Sequence, residues 1–273
     1  MNSNKVINYK RSYDDLIKSR VFSSLGRYKD SFYINKRKLF FKEENEKVGN
    51  ELLGDVIASY LDICHTEYDV CTIVTTSREV SGVVSKDYRK SNFLLVKMDK
   101  ILGSRNMTLD NILDALHIYF SNYDNKDEIV NRIYNGIIDY YMLDLLLGNM
   151  DNGRYNYELM VGSDNAYLSP YFDFGMTFNF TSTNLRVDED SSNNLYDNLG
   201  KLLTNDDYYN RFISMYNKLT PLCMEKLFDR VEADKGFVLD SNFKNIIFLA
   251  YSRHYLMMGN VIENINKRGK RYK

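Results

Sequence analysis

The N-terminal part of the chain alternates short apolar runs with polar turns, a pattern typical of β-strands. Two such runs, at residues 31–34 and 38–42, flank the polar turn 35–37, which predicts a β-hairpin. Residues 50–63 then place apolar side chains at helical spacing, so we expect an amphipathic helix directly after the hairpin. Further β-like runs follow at residues 70–75, 80–85 and 94–97.

The pattern changes to a helical period after about residue 98. Apolar residues recur at i, i+3 and i+4 over residues 108–120 and 128–147, which predicts a helical pair. Residues 157–161 and 166–168 flank a turn-rich tetrapeptide and predict a second hairpin. The remaining predicted elements are a polar loop at residues 181–200 and helices at residues 208–218, 223–231 and 243–265.

These elements predict an α+β fold with two lobes that face a cleft. The smaller lobe, residues 1–97, is β-rich with one helix, and the larger, residues 98–273, is helical. The composition, with 27% charged and 44% hydrophobic residues, is that of an ordinary globular protein. Because the net charge is only -1 and we see no basic patch, we expect neither nucleic acid nor an anionic membrane as a partner.

The polar start of the chain and the absence of a long apolar run favour a cytoplasmic location. Export by a route that does not use a cleaved signal peptide is the alternative. The three cysteines suit a reducing compartment. Cys64 and His65 beside Cys71 raise the alternative of a metal site, but a single histidine and the lack of a C-x-x-C pair favour buried cysteines that act as small hydrophobic residues.

The strongest chemical signal lies in residues 145–175, LLLGNMDNGRYNYELMVGSDNAYLSPYFDFG. Asp151 and Asn156 have the spacing of the kinase catalytic loop D-x-x-x-x-N, and Asp173 begins a D-F-G after the predicted hairpin. Phosphoryl transfer needs these residue types because one carboxylate orients the attacking hydroxyl while an amide oxygen and a second carboxylate hold Mg²⁺ on the phosphates. Each motif alone is weak evidence, but their order around a hairpin indicates a kinase.

GNMDNGRYNYEL followed by LSPYFDFGMTF resembles the HipA-like serine/threonine kinases, including the secreted CtkA-type members. That family has G-N-x-D-R-H-x-x-N and then a hairpin that ends in P-x-[FY]-D. Phosphoinositide kinases share a similar D-R-H-x-x-N and a D-F-G. The resemblance covers most of the chain, weakly at its two ends, and implies a bilobal protein-kinase-like fold that uses ATP and Mg²⁺. It implies that Asp151 is the catalytic base and that Asn156 and Asp173 are the metal ligands.

The resemblance also implies the residues that bind the nucleotide. Lys42, at the end of a predicted strand, corresponds to the lysine on the α- and β-phosphates, and Glu51 to its ion-pair partner. The alternatives are a solvated lysine at a strand end and a carboxylate that favours the start of a helix. Backbone groups of residues 83–88, around Lys86, correspond to the hinge that meets adenine.

Residues 23–31, SSLGRYKDS, occupy the place of the phosphate-covering loop. Gly26 is its only glycine, so the loop is a poor match to the motif. Ser24, Gly26 and Lys29 are still candidates for phosphate binding, and a plain surface turn is the alternative. By the same resemblance we expect autophosphorylation at Ser23 or Ser24, and the hydroxyl residues at 181–183 are the next candidates. The alternative is that Ser23 and Ser24 only cap a turn.

One departure from the family pattern leaves alternatives to a protein kinase open. The family's Arg-His pair is Asn152-Gly153 here, and Arg154 could take part of its role. The leading hypothesis is an ATP-dependent serine/threonine kinase. The alternatives are a lipid or small-molecule kinase and a pseudokinase-like nucleotide-binding module. The sequence leaves the phosphate acceptor open. A neutralising partner protein is a further hypothesis.

Overall fold

The computed structural model describes residues 5–22, 28–34, 38–44, 47–149, 156–178, 202 and 205–269. The chain divides into two compact units, each built from several stretches of sequence. The first unit comprises Met1–Arg89, Pro170–Met176 and Lys226–Phe243, and the second comprises Lys90–Ser169, Thr177–Glu225 and Lys244–Lys273. The D-F-G segment and a stretch near the C-terminus therefore belong to the same unit as the N-terminal residues.

The first unit contains a six-stranded sheet with the strand order β1-β5-β6-β4-β3-β2. Its strands are β1 (Lys5–Asn8), β2 (Arg20–Phe22), β3 (Tyr28–Ile34), β4 (Leu39–Glu43), β5 (Tyr68–Val74) and β6 (Glu79–Lys86). β1 pairs in parallel with β5, and the other neighbours are antiparallel. The predicted hairpin corresponds to β3 and β4.

One face of this sheet carries a hydrophobic core. Phe41 of β4 lies directly opposite Val84 of β6, and both are buried. The short helix α1 (Tyr13–Ile17) adds Leu16 to the same cluster, and its first turn is capped by the side chain of Ser12. Because side chains alternate along a strand, the residues next to Phe41 point to the opposite face.

The helix α2 (Val48–Tyr60) is buried along most of its length. A helix that is apolar on most sides is expected inside a fold, and Leu52, Leu53 and Ile57 are fully buried here. Two carboxylates, Glu51 and Asp55, are buried in the same helix, at 2% and 1% exposure. Because burial of an unpaired charge is costly, both must have partners.

The second unit is mainly helical and contains a three-stranded antiparallel sheet, β7-β8-β9. Its strands are β7 (Leu94–Lys97), β8 (Glu158–Val161) and β9 (Ala166–Leu168). Its helices are α3 (Met98–Leu102), α4 (Leu109–Tyr119), α5 (Lys126–Leu147) and α6 (Asp206–Lys218). Two later helices, α7 (Pro221–Lys235) and α8 (Ser241–Gly269), contribute residues to both units.

The predicted mixture of a sheet region and a helical region is confirmed, and most predicted elements lie within a few residues of the observed ones. β1, α1, β2 and α3 were not predicted. β7, placed by the sequence pattern beside the N-terminal strands, pairs instead with β8. The predicted loop 181–200 lies outside the described residues. Among the described helices, none combines the length and the hydrophobicity needed to cross a bilayer.

Candidate active site

Lys42 lies in β4, between two carboxylates. It is opposite Val83 of β6, on the face of the sheet away from Phe41 and the core. Its ammonium forms ion pairs with Glu51 and with Asp173, the latter at 2.8 Å between Nζ and Oδ1. The Lys42 side chain is 23% exposed. A cation, a helix carboxylate and the D-F-G aspartate thus meet at one point.

Glu51 uses both of its oxygens within this cluster. Oε1 binds Lys42, and Oε2 accepts a hydrogen bond of 3.0 Å from the backbone N–H of Phe174. The neighbouring Asn50 donates to the carbonyl of Gly175 at 3.2 Å. The first turn of α2 therefore holds both the lysine and the backbone of the D-F-G segment.

The two carboxylates of this cluster stabilise the charged form of Lys42. Burial opposes the charged form of Lys42, but the carboxylates of Asp173 and Glu51 raise its pKa well above the ordinary lysine value. Burial raises the pKa of Glu51, and the ammonium of Lys42 acts against that rise. Lys42 is consequently a fixed cation in a partly enclosed place, which suits it to contact an anion.

The backbone of Asp173 is left-handed, with a φ of 69°. Residues other than glycine adopt this region uncommonly, and tertiary contacts must hold them there. The Asp173 N–H donates to the hydroxyl of Tyr68 at 3.3 Å, and the following N–H is held by Glu51. The side chain of Asp173 is 36% exposed, far more than that of Glu51. The conformation thus directs one carboxylate oxygen to Lys42 and leaves the side chain partly open.

Phe174 anchors the D-F-G segment in the first unit. Its side chain is fully buried. Three aromatic rings surround it: Tyr171 at 4.8 Å between centroids, and Tyr68 and His65 at 6.3 Å each in edge-on geometry. Edge-on aromatic contacts at such distances are favourable and fix the orientation of a ring.

Tyr88 and Phe172 bring the predicted hinge close to the D-F-G segment. Their rings stack at 5.8 Å with an interplanar angle of 24°. Tyr88 follows β6, and Phe172 directly precedes Asp173. The strand that pairs with Lys42 thus continues to an aromatic pair beside the aspartate.

The other predicted site residues differ in what the structure describes of them. Asp151, Ser24 and Gly26 lie outside the described residues, and for Lys29 only the backbone, in β3, is described. Asn156 is half-buried in a turn of the second unit, just before β8.

Lys86 is exposed at the end of β6. Since strand side chains alternate, its ammonium points away from the face that carries Lys42. Only the backbone of Lys86 therefore suits the predicted role in the hinge.

In the second unit, Asp144 links the two described ends of the predicted catalytic loop. Its carboxylate accepts hydrogen bonds from the Asn149 amide at 3.3 Å and from the Tyr157 hydroxyl at 3.1 Å. All three residues are buried, at 5% exposure or less. Asn149 precedes Asp151 and Tyr157 follows Asn156, so Asp144 fixes the chain on both sides of the D-x-x-x-x-N motif.

Two solved structures resemble the chain over most of its length. The Helicobacter pylori proinflammatory kinase CtkA matches with a TM-score of 0.58 and 18% identity, over 87% of this chain and 90% of the CtkA chain. HipA of the Shewanella oneidensis MR-1 toxin–antitoxin system, in a complex with HipB and operator DNA, matches with a TM-score of 0.52 and 14% identity. That match covers 84% of this chain and 60% of the HipA chain.

The chain shares the fold of CtkA and HipA. At such low identity the likeness concerns the fold, and function has to be argued from the site. No protein-family model matches the sequence, and no curated protein matches it either.

Two of the predicted site residues carry oxygen atoms of the kind that bind Mg²⁺. Mg²⁺ is held by oxygen atoms, commonly one or two carboxylates together with phosphates and waters. Asp173 offers a partly exposed carboxylate of this kind, and Asn156 offers an amide oxygen. The described ranges contain no group of three or more His, Cys, Asp or Glu that could hold a metal by itself. In particular His65, beside Cys64, has Asp55 as its partner instead.

Sequence reasoning missed Tyr68, Asp55, His65 and Lys235, which surround or support the D-F-G segment. Asp55 carried one available signal: it follows Glu51 by one helical turn in a helix that is otherwise apolar there. Such a carboxylate must have a buried partner. The partners themselves come from other parts of the chain and have no signal in the local pattern.

Proposed function

We propose that this protein is an ATP- and Mg²⁺-dependent phosphotransferase with a bilobal kinase architecture, which transfers the γ-phosphoryl group to a serine or threonine hydroxyl of a protein. The observation that carries the proposal is the position of Lys42, held between Glu51 and the D-F-G aspartate Asp173. Kinases require a strand lysine paired with a helix glutamate and a D-F-G aspartate beside them. The CtkA-like fold supports the same conclusion.

Lys42 acts on the nucleotide phosphates, and Glu51 holds Lys42 in place. The ammonium has to release part of its contact with Asp173 in order to reach a phosphate oxygen. Glu51 is suited to keep it oriented, since it is buried and fixed by Phe174. Ser24, Gly26 and Lys29 are proposed to cover the phosphates, and the backbone around Lys86 to meet adenine.

Asp173 and Asn156 are the proposed metal ligands. When bound, Mg²⁺ neutralises the phosphate charge that opposes attack by a hydroxyl oxygen. The left-handed backbone of Asp173 fixes its carboxylate beside Lys42, so the ligand is oriented before the nucleotide arrives.

Asp151 is the proposed catalytic base. The acceptor oxygen forms a bond to the γ-phosphorus as the bond from that phosphorus to the β,γ-bridging oxygen breaks. The hydroxyl proton passes to the Asp151 carboxylate, and ADP is the leaving group. Asp144 supports this step by fixing Asn149 and Tyr157 on either side of the loop.

A partner protein belongs to the proposal as well. HipA was solved together with HipB and operator DNA. A partner that neutralises this chain would reduce phosphoryl transfer when it binds. Co-expression with neighbouring reading frames, followed by co-purification, tests for such a partner.

The decisive experiment is incubation with γ-labelled ATP and Mg²⁺, with separate detection of label on protein, on lipid and as free phosphate. Label on serine or threonine of protein supports the proposal, and intact mass detects autophosphorylation, for which Ser23 and Ser24 are the first candidates. Label on lipid alone favours a lipid kinase. A nucleotide-dependent thermal shift without any transfer identifies a binding module.

Variants link any transfer to the proposed site. Asp173→Ala and Asp151→Ala should both abolish labelling. Asp164→Ala, which changes an exposed aspartate in the turn of the β8–β9 hairpin, is the matched control and should keep it. Near-normal transfer by a folded Asp173→Ala protein would exclude the proposed site.

A further inference from the structure

Asp55 is the centre of a second polar cluster, one helical turn after Glu51. Its carboxylate is 1% exposed. It accepts hydrogen bonds from His65 Nε2 at 2.9 Å and from the Tyr68 N–H at 2.8 Å, and it forms an ion pair with Lys235 Nζ at 2.7 Å. A buried carboxylate with this many donors is fully compensated, and loss of any one donor would be costly.

The geometry around His65 favours a charged ring. Nε2 faces the Asp55 carboxylate, and Nδ1 lies 2.7 Å from the carbonyl oxygen of Ile63. The Ser59 hydroxyl also lies 3.2 Å from Nε2 and can either donate or accept. Because the Asp55 carboxylate and the Ile63 carbonyl both accept hydrogen bonds, the imidazolium form, in which both ring nitrogens donate, suits this position best. Asp55 therefore lies between two cations, His65 and Lys235.

This cluster supports the residues that hold Phe174. His65 contacts the Phe174 ring edge-on, and the ring of Tyr68, whose N–H is bound by Asp55, does the same. The hydroxyl of Tyr68 also accepts from the Asp173 N–H. Asp55 thus acts on the D-F-G segment through two aromatic side chains.

Lys235 brings a distant part of the chain to this cluster. It is the last residue of α7, and the next residue, Gly236, has a left-handed φ of 66° that ends the helix. The stretch Lys226–Phe243 has a second contact with α2, because the ring of Phe243 lies 3.0 Å from where a Cβ on Gly49 would be. The stretch therefore packs along α2 at two points, one on each side of Glu51 in the sequence.

We propose that Lys235, Asp55 and His65 are positioning residues for phosphoryl transfer, and that they make the Glu51–Lys42–Asp173 arrangement depend on the docking of Lys226–Phe243 onto α2. The inference rests on the proposed function. Glu51 and Asp55 share one rigid helix, so a shift of α2 on loss of the Lys235 contact moves Glu51 too. A change in that stretch, such as a bound partner, would thereby alter turnover.

Lys235→Met tests the inference, because methionine keeps most of the side-chain volume and loses the charge. We expect kcat to fall about tenfold or more, since small displacements of catalytic groups have effects of that size, with a smaller change in KM for ATP. Lys235→Arg should restore most of the rate. Lys226→Met, at an exposed position of the same helix, is the matched control and should behave like the wild type. A wild-type kcat in Lys235→Met, or an equal loss in Lys226→Met, overturns the inference.

The pH dependence of kcat in His65→Gln is an independent test of the inference. It can be measured even if Lys235→Met does not fold. The groups that face His65 are Asp55 and Ser59 from α2, Glu67 from the following loop, and Lys235 through the shared carboxylate of Asp55. We expect the wild-type kcat to decline at alkaline pH as the imidazolium is lost, and this decline to be absent in His65→Gln. Identical pH profiles in the two proteins would contradict the positioning role.

Amide hydrogen exchange separates this inference from the proposed function, since it needs no activity. Exchange in residues 48–60 and at Phe174 should accelerate severalfold in Lys235→Met and stay unchanged in Lys226→Met. If the wild-type protein transfers no phosphate, the proposed function is wrong while this measurement still tests the docking. Unchanged exchange in Lys235→Met would mean that Lys235 does not hold α2.

Discussion

Gly54 and Phe174 lie so close together that no side chain fits between them. A Cβ on Gly54 would be 2.4 Å from Cγ of Phe174, well inside van der Waals contact. Gly54 is in the middle of α2, where glycine ordinarily weakens a helix by about 1 kcal/mol relative to alanine. Glycine is needed at this position nevertheless, because the aromatic ring of Phe174 packs directly on the backbone of the helix.

Gly54→Ala should therefore destabilise the protein, although alanine is the better helix former. Overpacking in a filled core costs about 1–3 kcal/mol, which offsets the gain of about 1 kcal/mol in helix propensity. The methyl group would displace Phe174 and with it the Asp173 backbone. We therefore expect the rate of phosphoryl transfer to fall by a larger factor than the equilibrium constant for folding. Urea denaturation and the labelled-ATP assay measure the two effects.

Phe174→Leu in the Gly54→Ala background provides the matched test. Because leucine is smaller, it should recover part of the stability lost in Gly54→Ala, whereas by itself Phe174→Leu should destabilise the protein by leaving a cavity. Additive losses in the double variant would show that the two residues do not compete for the same space.

Lys42→Met should reduce stability as well as nucleotide binding. Removal of the ammonium leaves Glu51 buried beside Asp173 without its cation, and breaking such a pair costs up to about 3–5 kcal/mol when it is fully buried. Lys42 is 23% exposed, so we expect the lower part of this range. Chemical denaturation gives the stability, and a nucleotide-dependent thermal shift gives the binding.

The double variant Lys42→Met/Glu51→Gln separates these two effects. Neutralising Glu51 should restore much of the stability and none of the nucleotide binding, because the phosphate-binding cation is still missing. Recovery of binding in the double variant would exclude Lys42 as the phosphate-binding residue.

The sequence could predict the parts of this site that depend on local pattern. The hairpin that carries Lys42 and the helix that carries Glu51 have short-range periodicities, and D-F-G is a literal motif. These patterns place Lys42 at a strand end and Glu51 in the first turn of the next helix, whereas the pairing of the two was an expectation from the family resemblance.

The supporting contacts could not be predicted, because they join residues that are far apart in the sequence. Lys235 is at the end of a late helix, and nothing in its surroundings indicates Asp55 as its partner. β1 was missed for a related reason: it has four residues and is specified by parallel pairing with β5. Asp144 likewise lies in a helix that was predicted from its apolar residues alone, although it holds Asn149 and Tyr157.

Asp173→Gly and Asp173→Ala should differ in stability and agree in activity. Both lose the carboxylate, so neither should transfer phosphate. Glycine adopts the φ of 69° without strain, whereas for alanine this region costs about 1–2 kcal/mol. We therefore expect Asp173→Gly to be the more stable variant by up to about that amount, although glycine also gains more freedom in the unfolded chain. Equal stability with detectable transfer would contradict both the strain and the metal-binding role.

The stability of the protein should decrease from neutral to alkaline pH because of His65. Burial alone would lower the pKa of His65, but its hydrogen bonds to Asp55 and to the Ile63 carbonyl raise the pKa above the ordinary histidine value. A group with a raised pKa in the folded state contributes stability that is complete below the unfolded value of about 6.5 and disappears as pH rises through the folded value.

The difference in unfolding free energy between the wild type and His65→Gln isolates this contribution, because the other two histidines, His117 and His254, are present in both proteins. The difference should be largest near pH 6 and shrink towards pH 9. Burial acts to raise the pKa of Asp55, but hydrogen bonds from His65 and Lys235 lower it below the ordinary value, so its contribution is constant above about pH 5 and does not interfere. Urea denaturation at intervals across this range measures the difference. A difference that grows with pH would mean that His65 is neutral in the folded protein, so that only one of its ring nitrogens donates.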